Sequence, residues 1–228
     1  MDILTKIDIY YDGTNIQKYA GLEFVKGFTT NTTFMVQGNE LNYTEFYNKH
    51  KDRIGDRPIS LQLFSDSSLD MVQQAKQISQ LGENVYVKVP VINSLGDSNN
   101  AILEWLLFRN FKLNITAIFT EQQLLNLYDV VCDKEDVILS IFAGRISDTG
   151  RNPFEIVQFA CKLYPKAKVL WAGCKETLSI QHAIDAGCKI ITLPDSIMDR
   201  LSRMNKDLTE FSKETVISFK TDGEKITI

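Results

Sequence analysis

The chain has 228 residues, 44% hydrophobic and 24% charged, with a net charge of −4. That balance fits a globular protein and argues against broad nucleic-acid binding, which needs a basic face. No apolar run reaches the roughly 18 residues of a membrane span, and the opening MDILTKIDIYYDGTN has no uninterrupted apolar core for a signal peptide, so a cytoplasmic protein with no membrane partner is expected.

Short β-branched runs recur along the chain: IDIYY (7–11), EFVKGFT (23–29), ISLQLF (59–64), VYVKVPV (85–91), KLNITAIF (112–119), VILSIF (137–142), KVLWA (168–172) and KIITL (189–193). Helical periodicity fills most of the gaps. LDMVQQAKQISQLG aligns Met71, Val72, Ala75, Ile78 and Leu81 and closes on Gly82. NPFEIVQFACKLYP begins with an Asn-Pro start signal and stops before Pro165, and SIQHAIDAGC stops at Gly187. Eight strands alternating with helices predict an α/β fold with a parallel sheet covered on both faces. With no linker, charge block or repeat, the expectation is one domain over residues 1–228.

Two topologies meet this pattern, a doubly wound open sheet and a (β/α)8 TIM barrel. Polar residues separate them. Asp12 follows the first run, Thr29, Thr30 and Asn31 close the second, and Gln62 and Lys88 lie inside the third and fourth. Asn114 and Thr116 lie in the fifth, Arg145 and Asp148 follow the sixth, Gly173 and Lys175 the seventh, and Thr192 and Asp195 belong to the eighth. An open sheet uses two or three strand ends at its switch point. Polar groups at eight strand ends fit the carboxyl mouth of a barrel.

Lys88 is the sharpest residue. Strand alternation puts Tyr86 and Lys88 on one face and Val85, Val87 and Val89 on the other. A lysine desolvated inside a barrel loses preference for its charged form and offers a neutral amine for Schiff-base chemistry. A salt-bridged structural lysine satisfies the same pattern, and the pattern alone leaves both readings open.

Several stretches together resemble the transaldolase family, especially its short members and their fructose-6-phosphate aldolase branch. They are YYDGTN (10–15), GFTTNTTFM (27–35), NVYVKVPV (84–91), LNITAIFT (113–120), SIFAGRISDTGRNP (140–153), KVLWAG (168–173) and GCKIITLP (187–194). The resemblance implies a class I aldolase-type barrel that needs no cofactor. Lys88 matches the lysine that attacks the ketose carbonyl, and Asp12 the carboxylate that shuttles protons. Asn31 and Asn114 match substrate-contacting asparagines, and Thr116 the threonine that holds a catalytic water. Arg145 matches a phosphate-binding arginine, and Lys175 stands where the family has a second cation. Gln62 replaces the glutamate of transaldolases proper and matches the aldolases, whereas Phe142 and Asn114 are the transaldolase choices. Thr32 replaces a proline, and Gly173 a serine that helps hold phosphate.

The resemblance thus implies transfer of a dihydroxyacetone unit between sugar phosphates. The alternatives are an aldolase that releases dihydroxyacetone, or a relative acting on an unusual sugar, and a non-catalytic sugar-phosphate binder. Small family members commonly assemble into rings through a C-terminal helix. A homo-oligomer is therefore allowed here, although FKTDGEKITI reads as too short and polar for that exchange. Asp148 is expected to orient the loop after Arg145, and NSLGDSN (93–99) to close over the Schiff base with Asp97 and Ser98 capping the next helix. Cys132, Cys161, Cys174 and Cys188 fit no zinc pattern and read as free thiols, with no metal expected; His50 reads as part of a solvated patch and His182 as a surface or packing residue.

Overall fold

The computed structural model describes residues 3–227. Eight parallel strands close into a barrel in sequence order: β1 Asp8–Asp12, β2 Val25–Thr29, β3 Ile59–Gln62, β4 Val85–Pro90, β5 Leu113–Ile118, β6 Val137–Ile141, β7 Lys168–Trp171 and β8 Ile190–Pro194. β8 pairs with β1 from Asp8 opposite Ile190 to Asp12 opposite Pro194, which closes the ring and excludes the open-sheet topology.

Strand alternation divides the apolar residues into two cores. Ile9, Tyr11, Phe28, Ile59, Leu61, Val85, Val87 and Val89 face outward and pack, fully buried, against the helices. Tyr10, Tyr86, Ile138, Leu170, Ala172 and Ile190 form a second, smaller cluster inside the barrel. Tyr86 is inside, so Lys88, two residues further along β4, is inside as well.

The helices begin and end where side chains satisfy their free backbone groups. Ser67 caps Ser68–Ser79 by accepting from the Asp70 N–H at 3.2 Å, and Met71, Ala75 and Ile78 form its buried face. The helix ends three residues before Gly82, because the last turn unwinds at Gln80. Asn152 accepts from the Phe154 N–H at 3.0 Å, which fits the expected start of Phe154–Leu163.

Three expectations need correction. His50 is buried, edge-on to Phe46 with ring centroids 5.1 Å apart, and neither ring nitrogen has a protein partner. The charges around it, in KHKD, hid an inward-facing position on the helix Tyr43–Ile54. Asp97 does not cap the helix Asn100–Phe108. Its carboxylate accepts from Asn93 Nδ2 at 3.3 Å, while Ser98 Oγ takes the Asn100 N–H at 3.2 Å. The end of the chain is also more ordered than its last ten residues suggest. A 16-residue helix, Leu208–Gly223, starts at an Asp207 cap and buries none of its side chains, Phe211, Ile217 and Phe219 included.

Candidate active site

The candidate site residues meet at the carboxyl end of the barrel through strand register. Gln62 lies opposite Lys88, Lys88 opposite Asn114, and Pro90 opposite Thr116. Asp12 is paired with Thr29 on the other side of the ring. Alternation aims these side chains inward, so residues far apart in sequence share one small volume.

Lys88 is 4% exposed and its amine donates to the Thr30 carbonyl at 3.1 Å. Burial pushes its pKa below the usual 10.5, and the charge of Asp12 opposes that shift. Asp12 is 8% exposed. Burial raises its pKa from 3.8, opposed by Lys88 and by the hydroxyl of Thr29. Both groups are thus driven toward their neutral forms, Lys88 as amine and Asp12 as acid. Neither is locked into a full ion pair.

Proton bookkeeping fixes the network beneath them. Thr29 Oγ1 donates to Asp12 Oδ1 at 2.7 Å and lies 2.6 Å from Thr192 Oγ1. A hydroxyl carries one proton, so Thr192 is the donor in the second contact whenever Thr29 donates to an ionised Asp12. Asn114 is held at both ends: its amide donates to Ser60 Oγ at 3.0 Å, and its carbonyl accepts from Ser140 Oγ at 2.7 Å. Its orientation is therefore fixed before a substrate arrives. Thr116 Oγ1 is buried with no protein partner. Such a hydroxyl is costly unless a water or substrate meets it. Next to it, Ala117 takes φ of 58° where the pairing between β5 and β6 shifts register between Ile115 and Ile118. A non-glycine residue there is strained, a pattern that concentrates at functional sites.

The rim carries the remaining expected residues. Asn31 spends its side-chain oxygen on capping Thr32–Gln37, accepting from the Phe34 N–H at 2.9 Å, which leaves its amide N–H groups free. Gln62 is half-buried, and its backbone carbonyl accepts from Tyr43 at 2.9 Å. Phe142 packs edge-on to Phe119 with centroids 5.4 Å apart. The exposed Arg145 lies with its guanidinium 5.3 Å from the Phe142 ring centre. Lys175 pairs with Asp148 at 3.3 Å, so Asp148 holds this second cation and not the Arg145 loop alone. Gly173 takes φ of +73°, and its carbonyl lies where a side chain on Gly144 would stand, 1.6 Å from an added Cβ. Gly144 is therefore required by close approach of the two loops.

Ser60 and Ser140, and the use of the Thr30 backbone carbonyl, are the contacts of the candidate residues that the strand-end argument missed. The signal for the two serines was present, because each shares a strand face with a recognised residue, Gln62 or Phe142. The Thr30 carbonyl is a backbone group and leaves no trace in residue type. A groove of about 660 Å³ is lined by Met35, Val36, Leu41, Tyr43 and Phe64 among others. Glu40 is its only ionisable lining group apart from a tyrosine, so it offers little chemistry. Among the described residues no group of three or more His, Cys, Asp or Glu side chains could hold a metal ion, and no helix is long and apolar enough to cross a membrane.

Residues 9–227 match the family model described as transaldolase/fructose-6-phosphate aldolase. The chain belongs to that family. It is 27% identical over 218 residues to a probable transaldolase from Thermoplasma volcanium, covering 90% of this chain and 94% of the relative. A probable transaldolase from Nitrosopumilus maritimus is 28% identical over 228 residues, covering 96% and 95%. Among solved structures, the tryptophan synthase α-subunit from Pyrococcus furiosus superimposes with a TM-score of 0.59 at 12% identity, over 91% of this chain and 94% of that one. Orotidine 5′-monophosphate decarboxylase from Sulfolobus solfataricus gives 0.56 at 10% identity, over 85% and 90%. At these identities the structural likenesses concern the barrel fold alone.

Proposed function

We propose that this member of the family is a transaldolase working through a Schiff base on Lys88. The observation that carries the reading is the environment of that amine, 4% exposed and hydrogen-bonded to a carbonyl in place of a carboxylate. A structural lysine would be expected to hold an ion pair. A desolvated amine near a carbonyl keeps the lone pair that attack on a ketose requires.

The chemistry follows from the groups around it. Lys88 Nζ adds to the ketose carbonyl, and Asp12, whose carboxyl burial shifts toward the acid form, gives the proton with which the carbinolamine oxygen leaves as water. The resulting carboxylate then removes the C4 hydroxyl proton. The C3–C4 bond breaks, its electrons flow into the iminium, and an aldose departs. General acid–base help of this kind is worth about 10²–10⁴-fold. Thr116 holds the water that exchanges with Asp12, while Asn31 and Asn114 hold the sugar hydroxyls. Arg145 and Lys175 supply charge for a phosphate, and the Gly173 backbone N–H replaces a missing side-chain donor.

Transfer is favoured over release by the apolar ring at Phe142. Without a phenol at that position to help protonate and hydrolyse it, the enamine on Lys88 persists until an acceptor aldehyde arrives. An aldolase that hydrolyses the enamine is the second reading, carried by Gln62. The same proposal makes the protein a cytoplasmic enzyme of carbohydrate metabolism, with the exposed helix Leu208–Gly223 available to a second copy of the chain.

Assay with fructose 6-phosphate, with and without erythrose 4-phosphate, separates the readings. Transaldolase action releases glyceraldehyde 3-phosphate catalytically only when the acceptor is present. Sustained release without acceptor establishes the aldolase, and no turnover with either mixture refutes both.

A further inference from the structure

Thr192 is a buried hydroxyl at a position where packing alone asks for valine. It lies opposite Tyr10 in the pairing of β8 with β1, so its side chain points into the barrel. Ile190, two residues earlier on the same face, belongs to the apolar cluster there. Valine has the same β-branched shape and no hydroxyl to desolvate, so the oxygen needs a use. Its partner is the buried Thr29 of β2. β8 and β2 flank β1, and the two hydroxyls meet across it at 2.6 Å. Thr29 Oγ1 in turn reaches Asp12 Oδ1 at 2.7 Å.

Each hydroxyl carries one proton and can also accept. With Asp12 ionised, the carboxylate only accepts, so Thr29 donates to it and Thr192 donates to Thr29. Both protons are then used, in a chain that ends on a charge. With a proton on Oδ1, Asp12 donates to Thr29, Thr29 turns its own proton to Thr192, and the Thr192 proton falls outside the chain. The chain therefore favours the carboxylate. Burial drives Asp12 toward the acid, and Lys88 and the Thr29 hydroxyl oppose it. Two ionisable groups feel the charge of Asp12, Lys88 on β4 and the Cys174 thiol after β7, and the hydroxyl chain acts in addition to them.

We propose that Thr192 is a positioning residue for the reaction at Lys88. By donating to Thr29 it turns the Thr29 proton onto Asp12. Asp12, after giving its proton to the carbinolamine oxygen, is thus held as the carboxylate that takes the C4 hydroxyl proton. This role rests on the Schiff-base reading, and in it Thr192 acts only through Thr29. The two threonines rotate their O–H bonds and keep their protons; the proton lost by Asp12 goes to the departing water, and the one it regains comes from the sugar.

Two measurements on the parent, Thr192→Val and Thr192→Ser test the role. In the first, without substrate, the Asp12 carboxyl carbon is titrated by carbon-13 NMR in aspartate-labelled protein, its signal assigned by its loss in Asp12→Asn. The valine variant should titrate at higher pH than the parent, and the serine variant with the parent. In the second, the acid limb of kcat should move to higher pH in Thr192→Val, because Asp12 stays protonated further up the scale. Turnover at neutral pH should fall about two- to tenfold, the scale of one hydrogen bond, and serine should restore both. An Asp12 titration that valine leaves in place or moves down, or that serine displaces as far as valine does, overturns the proposal. Thr192→Ala takes the place of valine in the same comparison if that variant does not fold. If the NMR titration moves as expected while borohydride traps no sugar on Lys88, the Schiff-base reading fails and the hold of Thr192 on Asp12 stands.

Discussion

Tyr86 and Lys88 leave β4 on the same side, two residues apart, and enter opposite surroundings. Tyr86 joins Tyr10, Ile138, Leu170 and Ile190 in an apolar plug inside the barrel. Lys88 joins Asp12, Thr29, Asn114 and Thr116 in a buried polar layer nearer the mouth. The plug contributes stability through packing, whereas the polar layer holds groups that burial drives away from their ordinary ionisation. A barrel interior therefore changes character within one strand, from an apolar plug to a buried polar layer whose ionisation burial shifts.

Substitutions on the two sides of this boundary should separate chemistry from stability. Asp12→Asn keeps the shape of the polar layer and removes the proposed proton carrier. Turnover should fall about 10²–10⁴-fold, checked by steady-state kinetics, with the urea midpoint little changed. Tyr86→Ala does the converse: loss of a buried aromatic ring should cost about 3–5 kcal/mol in urea unfolding, while the protein that remains folded still modifies Lys88. If Tyr86→Ala abolished chemistry without lowering stability, the division between plug and polar layer would be wrong.

Smaller effects sharpen the picture at the rim. Arg145→Ala should raise KM for a phosphorylated ketose by about 10- to 100-fold, the scale of a charge-assisted hydrogen bond, and leave KM for an unphosphorylated ketose unchanged. Thr116→Val removes a hydroxyl with no protein partner. Its stability should stay within about 1 kcal/mol of the parent, while turnover drops because the water loses its anchor. Calorimetry and kinetics on one preparation report both.

The pH dependence tests the polar layer without mutation. Lys88 titrates below 10.5 because of burial, so its neutral fraction grows as pH rises through that lowered value. The rate of ketose addition should climb and reach its plateau below pH 10.5. A rate still rising there would show an amine with an ordinary environment.

Much of this architecture was legible in residue order. All eight strands lie where β-branched runs predicted them, because parallel strands buried on both faces need near-continuous apolar sequence. Gln62 and Lys88 announced the interior by breaking that rule. Serines 60 and 140 broke it less visibly, since a small hydroxyl is tolerated on either face. The strain at Ala117 was hidden because a bulge is a matter of pairing, and nothing about alanine signals positive φ. His50 was misread because neighbouring charges describe the exposed face of a helix and say little about the side facing the barrel. The helix Leu208–Gly223 was overlooked by weighing only its final residues, after its Asp207 cap had already set the start.

The most direct measurement concerns the Lys88 amine itself. Incubation with fructose 6-phosphate and borohydride, followed by peptide mass spectrometry, should find a reduced sugar adduct on residue 88 and none in Lys88→Met, whose circular dichroism should match the parent. Absence of the adduct with reactive ketoses, or catalytic turnover surviving in Lys88→Met, would contradict the account.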